Sequence, residues 1–211
     1  MFWPRKRAAS AMPRKRDRSV RFGLMGGTFD PVHYGHLTAA QEAANRFGLD
    51  RVIFIPCGIP PHKDVKDLAP AVDRFIMTVL AVADNPRFDV SRYEIDKDEP
   101  SYTVDTMAHF AAEYPGKELF FITGADSVLE LDTWHEPERV FEFGNLIGVT
   151  RPGYTVDKMP KVAARVIWME IPAIGVSATE IRARVREGRP IDYLTPPAVV
   201  RYIENGYLYK G

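Results

Sequence analysis

The sequence of 211 residues predicts an α/β fold, a doubly wound parallel sheet with helices on both faces. Three observations point there. Short apolar runs alternate with helical stretches from Val20 onward. Runs such as Val52-Ile53-Phe54-Ile55-Pro56 and Leu119-Phe120-Phe121-Ile122-Thr123-Gly124 are apolar almost throughout, as strands buried on both faces are. Gly and Pro stand where the intervening helices should stop.

Taken in order, the strand-like runs are Val20–Met25, Arg51–Cys57, Phe88–Ile95, Glu118–Thr123, Asn145–Thr150 and Arg165–Ile171. His36–Phe47 reads as a helix ending near Gly48, and Val72–Ala83 as one ending before Asn85-Pro86. Val104–Tyr114 stops before Pro115-Gly116, and further helices are expected over Pro137–Phe143, Ala178–Glu187 and Pro197–Asn205. The pattern is Rossmann-like. On such sheets ligands bind beyond the carboxyl ends of the strands, where strand order reverses.

Residues 1–19 break the pattern. They show no periodicity and are expected to form a disordered basic arm, with residues 20–211 as the single folded domain. Residues 1–21 hold eight basic side chains against Asp17 alone, a local +7 that leaves −7 on the rest of a chain of net charge zero. A solvated tail explains the arm, as does an upstream start with Met12 as the first residue. No nucleic-acid partner is expected. Cys57 is the only cysteine, so no intrachain disulfide can form. No apolar run of about 18 residues offers a membrane span, and the basic N-terminus lacks the apolar segment of a signal peptide. A cytoplasmic protein with no membrane partner is expected, and a homo-oligomer is left open.

The first strand runs into Gly26-Gly27-Thr28-Phe29-Asp30-Pro31-Val32-His33-Tyr34-Gly35-His36. Two glycines allow a tight turn and close approach to a ligand. The helix start that follows offers free N–H groups and a partial positive charge to an anion. His33 and His36, three apart at that start, are suited to gripping phosphate oxygens. The stretch is neither the dinucleotide fingerprint nor the P-loop, which counts against hydride transfer and P-loop phosphoryl transfer. Zinc is not expected, because no Cys and His cluster accompanies the pair. Near the other end, Ser177-Ala178-Thr179-Glu180-Ile181-Arg182 opens a helix with cap residues.

The two segments together resemble the signatures of the H-x-G-H nucleotidylyltransferase superfamily. Five more resemble its nicotinate-nucleotide adenylyltransferase branch: Pro60-Pro61-His62-Lys63, Pro100-Ser101-Tyr102-Thr103, Gly124-Ala125-Asp126-Ser127, Thr133-Trp134-His135 and Arg151-Pro152-Gly153. The resemblance spans roughly residues 20–209. It implies adenylyl transfer from ATP to nicotinate mononucleotide, giving nicotinate adenine dinucleotide and pyrophosphate. Magnesium would accompany ATP, with no dedicated protein metal site. His33, His36 and Arg182 would be catalytic, with the histidines on the α- and β-phosphates. ATP would also meet Gly26, Gly27, Thr28, Phe29, Ser177, Thr179, Ile181 and Asp126.

Nicotinate mononucleotide would meet Thr28, Lys63, Tyr102, Thr103, Trp134 and Arg151. Trp134 would stack on the pyridine ring, although a tryptophan there can also fold back onto the core. Tyr102 and Thr103, at a helix start, would receive the nicotinate carboxylate. Lys63 reads either as a phosphate contact or as a surface lysine. Asp126 reads as a ribose contact, a magnesium partner through water, or a helix N-cap. Arg151 faces phosphate or is structural. The loop Cys57–Asp67 is expected to move on binding, and Cys57 itself to pack at a strand end. Transfer to nicotinamide mononucleotide or phosphopantetheine, a non-catalytic nucleotide-binding regulator and a nucleic-acid role for the arm are the alternatives.

Overall fold

The computed structural model describes residues 19–61, 68–153, 159–172 and 174–210. The arm, Lys63 and most of the Cys57–Asp67 loop therefore lie outside the described residues. Six strands form one sheet: β1 (Arg21–Gly27), β2 (Arg51–Pro56), β3 (Phe88–Val90), β4 (Glu118–Gly124), β5 (Asn145–Thr150) and β6 (Ile167–Glu170). Their order is β3-β2-β1-β4-β5-β6, and every pairing is parallel. The chain winds outward from β1 in one direction, returns, and continues from β4 in the other. The switch point is the crevice beyond the carboxyl ends of β1 and β4.

Successive side chains of a strand point to opposite faces, so each central strand feeds two cores. Met25, Phe54 and Ile122 join one, beneath α1 (Tyr34–Arg46), α2 (Ala71–Val82), α6 (Ala178–Arg186) and α7 (Pro197–Asn205). Leu24, Ile55 and Phe121 join the other, beneath α3 (Thr103–Glu113), α4 (Ala125–Leu129) and α5 (Val140–Phe143). This double coverage is why the strand runs read as apolar throughout.

Two elements differ from expectation. The third strand stops at Val90 rather than Ile95, because the chain turns there: Ser91 N–H still donates to Phe54 O at 2.8 Å, but Ser91 Oγ then accepts from Tyr93 N–H at 3.1 Å. The turn brings Glu94 into the interior, where Thr106 Oγ1 donates to its Oε1 at 2.6 Å. Helix α4 was not expected; at five residues it is too short to show a period. No helix among the described residues is long and apolar enough to cross a membrane.

Candidate active site

Gly26 and Gly27 lie inside β1 rather than in a turn. Gly26 is needed for space, since a Cβ there would stand 2.6 Å from the Phe121 ring. The left-handed residue that swings the chain across the sheet end is Phe29, at φ 49°. Its buried ring meets the His36 ring edge-on, with centroids 5.0 Å apart.

The two histidines build the start of α1. His33 is the N-cap, and its Nδ1 accepts the Gly35 N–H at 3.1 Å. His36 Nδ1 accepts the His33 N–H at 3.2 Å, so the pair forms a capping box made of imidazoles. With Nδ1 occupied as acceptor, the proton of each neutral ring sits on Nε2, which makes that atom a donor. His33 is 7% exposed, and burial first, then the charge of Arg151, lowers its pKa to about 4. It is therefore a neutral donor at pH 7. Gly35 makes the arrangement fit: a Cβ there would stand 2.9 Å from the His33 ring.

Two chambers open at the switch point. The smaller, about 330 Å³, is lined by His33, Gly35, Ala39, Val149, Arg151 and Ser177, among others. The larger, about 720 Å³, is lined by Thr28, Phe29, Asp30, Trp134, Thr179 and Arg182, with Pro60, Ser127 and Glu130 in the same wall. His36, Asp126, Thr123, Gly124 and Ala178 border both, so the chambers adjoin.

Most of the expected residues meet here. Ser177 caps α6, its Oγ accepting the Glu180 N–H at 3.1 Å. Asp126 is in the first turn of α4, but Gly124 is the N-cap, which removes the capping explanation for Asp126. Trp134 lines the larger chamber and also packs edge-on against Phe121, at 6.3 Å between centroids. Three residues do not reach a chamber wall. Ile181 is fully buried in the core. Tyr102, the N-cap of α3, packs on the ring of His135 beside Trp134, and Thr103 follows it.

Three residues that matter here, Asp30, Tyr209 and Arg74, were missed by sequence reasoning. Asp30 is 3% exposed; its Oδ1 accepts from Tyr209 Oη at 2.7 Å and Ala69 N–H at 3.2 Å. Its backbone oxygen accepts from Arg182 Nη1 at 2.7 Å. Arg74 is 1% exposed and donates only to backbone oxygens: Nε to Ala69 at 3.0 Å, Nη1 to Thr28 at 2.8 Å and to Cys57, Nη2 to Gly58 at 2.9 Å. It ties the loop after β1 to the loop after β2. The one available signal was charge, in Asp30 within the first signature and Arg74 on the apolar stripe of α2.

A doubly wound sheet whose switch point opens on two imidazoles, a helix N-terminus and an arginine defines a nucleotidyltransferase. Comparison with known proteins agrees. Residues 24–184 match the cytidylyltransferase-like family. A Saccharopolyspora erythraea protein named "Probable nicotinate-nucleotide adenylyltransferase" is 50% identical over 196 residues, covering 92% of each chain. A Streptomyces coelicolor protein of the same name is 48% identical over 187 residues, covering 89% of this chain and 100% of its own. The chain belongs to the nicotinate-nucleotide adenylyltransferase family, within the cytidylyltransferase-like group. Its fold is shared with the Plasmodium falciparum nicotinic acid mononucleotide adenylyltransferase complexed with NaAD, at TM-score 0.74 and 18% identity, over 90% of this chain and 97% of that one.

Proposed function

We propose that this chain transfers the AMP moiety of ATP to nicotinate mononucleotide, a step of NAD biosynthesis in the cytoplasm, and that the two substrates meet where the chambers adjoin. The observation that carries this reading is the junction: two chambers adjoin where His36 and Asp126 border both. A phosphorus atom shared by two nucleotides during transfer belongs at such a junction.

In this reading the 5′-phosphate oxygen of nicotinate mononucleotide attacks the α-phosphorus of ATP in line. The new P–O bond forms as the α–β bridge breaks, and pyrophosphate leaves with the electron pair. The attacking oxygen is already anionic, so no general base is needed. Catalysis falls to positioning and to charge stabilisation. His33 and His36 donate from Nε2 to the α- and β-phosphates. Arg182, with Ser177 and Thr179 at the start of α6, holds the β- and γ-phosphates. Gly26, Gly27, Thr28 and Phe29 lie along the substrates, and Arg151 adds positive charge at the mouth of the smaller chamber. The backbone of Ile181, rather than its core side chain, would serve ATP.

Trp134 offers its ring face to the pyridine. The first turn of α3, which receives no side-chain cap from Tyr102, offers N–H groups to the carboxylate. Lys63 remains assigned to a phosphate of nicotinate mononucleotide. The donor set fits a magnesium ion carried by the triphosphate rather than by the protein. No group of three or more His, Cys, Asp or Glu that could hold a metal occurs among the described residues, and Asp126 is the carboxylate that would face it. Such an ion would neutralise phosphate charge.

The test is pyrophosphate release with ATP and magnesium, run in parallel with nicotinate and nicotinamide mononucleotides. Strong preference for the acid is expected. Equal rates would remove the carboxylate assignment, and no release with either would remove the reaction.

A further inference from the structure

Arg182 faces a carboxylate it does not embrace. Its side chain is 20% exposed at the wall of the larger chamber, and Asp30 lies behind it, almost wholly buried. A buried carboxylate opposite an arginine ordinarily closes into a two-bonded fork. Here Asp30 Oδ2 stops 3.7 Å from Arg182 Nη1 and makes no hydrogen bond at all. Arg182 Nε is also buried without a partner, and its Nη2 reaches only Thr179 Oγ1 at 3.5 Å. Arg182 Nη1 donates instead to the Asp30 backbone oxygen at 2.7 Å, and Asp30 Oδ2 and Arg182 Nε are left unsatisfied, which costs free energy unless something else is gained.

What holds the pair open comes from the far end of the chain. Tyr209 Oη donates to Asp30 Oδ1 at 2.7 Å, and Ala69 N–H donates to the same oxygen. These two bonds turn the carboxylate so that only Oδ2 faces the guanidinium, beyond bonding distance. Tyr209 packs against the core beside Leu208, after α7. Burial, then the charge of Asp30, pushes its phenol well above the usual range, so the donor proton stays in place at any working pH.

We infer that Tyr209 is a positioning residue for Arg182: by anchoring Asp30 it keeps the carboxylate from capturing the guanidinium, and so leaves that guanidinium for the phosphates beyond the α-phosphate. This rests on the reading of Arg182 as the triphosphate contact. Tyr209 touches no substrate. Its hydroxyl acts through Asp30, 179 residues away in sequence. In Tyr209→Phe the carboxylate keeps only the longer bond from Ala69 N–H; it turns towards Arg182, and the arginine is drawn back from the chamber.

The experiment is calorimetric binding of ATP and of AMP, with magnesium, to the full chain carrying no change, Tyr209→Phe, Arg182→Ala, both together, or Leu208→Ala. The ATP-over-AMP ratio separates phosphate grip from general loosening. Tyr209→Phe should weaken ATP about tenfold and leave AMP within about twofold, the loss expected for one charge-assisted contact. Added to Arg182→Ala it should cost nothing further. Leu208→Ala should lower the melting temperature yet keep the wild-type ratio. A wild-type ratio in Tyr209→Phe, equal loss of both ligands, or an additive double variant overturns the inference. A ratio unchanged in Arg182→Ala removes the reading of Arg182, and this inference with it. If Tyr209→Phe fails to fold, Asp30→Asn reads the same ratio: with no carboxylate to capture the guanidinium, a ratio kept or raised supports the inference and its loss overturns it.

Discussion

The rings of His33 and His36 stack at 3.8 Å between centroids, with planes 24° apart, while the Nδ1 of each is engaged by a backbone N–H of the helix start. Two protonated imidazoles could not lie this close without repulsion. The stack, the capping box and the burial of His33 therefore describe one state, in which at least His33 is neutral.

That state makes stability depend on pH. The folded pKa of His33 lies near 4, below the unfolded value of 6.5. The unfolded chain binds more protons between those values, so the stability present above pH 6.5 is lost as pH falls towards 4, on the order of 3 kcal/mol in full. His33→Asn keeps a capping side chain and removes the titration. The melting temperature of the wild type should fall more steeply than that of His33→Asn across this window. Parallel slopes would show that His33 is not buried neutral. Turnover of the variant at pH 7 should drop by roughly a hundredfold or more.

Gly35→Ala separates folding from function. Alanine inside a helix is worth about 0.5–1 kcal/mol over glycine. The added Cβ meets the His33 ring at 2.9 Å and pushes it off its cap. The expected result is a melting temperature within a few degrees of wild type and a kcat/KM lower by about tenfold to a hundredfold, as for small misplacements of catalytic groups. Unchanged kcat/KM would mean that the ring position is immaterial.

Arg74→Met should be the most destabilising of these changes. It leaves the backbone oxygens of Ala69, Thr28 and Gly58 without a side-chain donor inside the protein. A loss of about 3 kcal/mol or more in urea unfolding is expected. Arg74→Lys should recover little, since an ammonium cannot reproduce the planar fork. A loss under about 1 kcal/mol would show that the loops hold without the arginine.

Trp134→Ala tests the ring face. The KM for nicotinate mononucleotide should rise by about tenfold and the KM for ATP should barely move, because only one substrate stacks there. Trp134→Phe should sit between. Equal effects on both substrates would make Trp134 a packing residue held by Phe121.

The sheet was legible because its strands are buried on both faces, so that Val52–Pro56 and Leu119–Ile122 carry no polar interruption. The histidine pair was legible because capping is local, decided within four residues. The support of the site was not. Arg182 meets Asp30 across 152 residues and Tyr209 meets it across 179, distances over which no local period exists. The shortened β3 shows the same limit: Ser91 turns the chain, but apolar residues recur past it at Tyr93 and Ile95. Likewise the glycines after Met25 looked like a turn and proved to be room for two rings, Phe121 at Gly26 and Phe29 at Gly27.

The imidazole capping box leaves the chain little freedom to drift. An enzyme whose reactive groups hang from an indifferent scaffold can lose them one at a time and keep its shape. Here the side chains offered to phosphate also begin the first helix after the central strand, and that helix covers the central strands. A descendant that abandoned catalysis would first have to find another way to start α1, with Ser or Asp in place of His33. Selection for folding alone would then defend part of the active site, and variants at His33 or His36 that cannot cap the helix should lose some stability along with their catalysis.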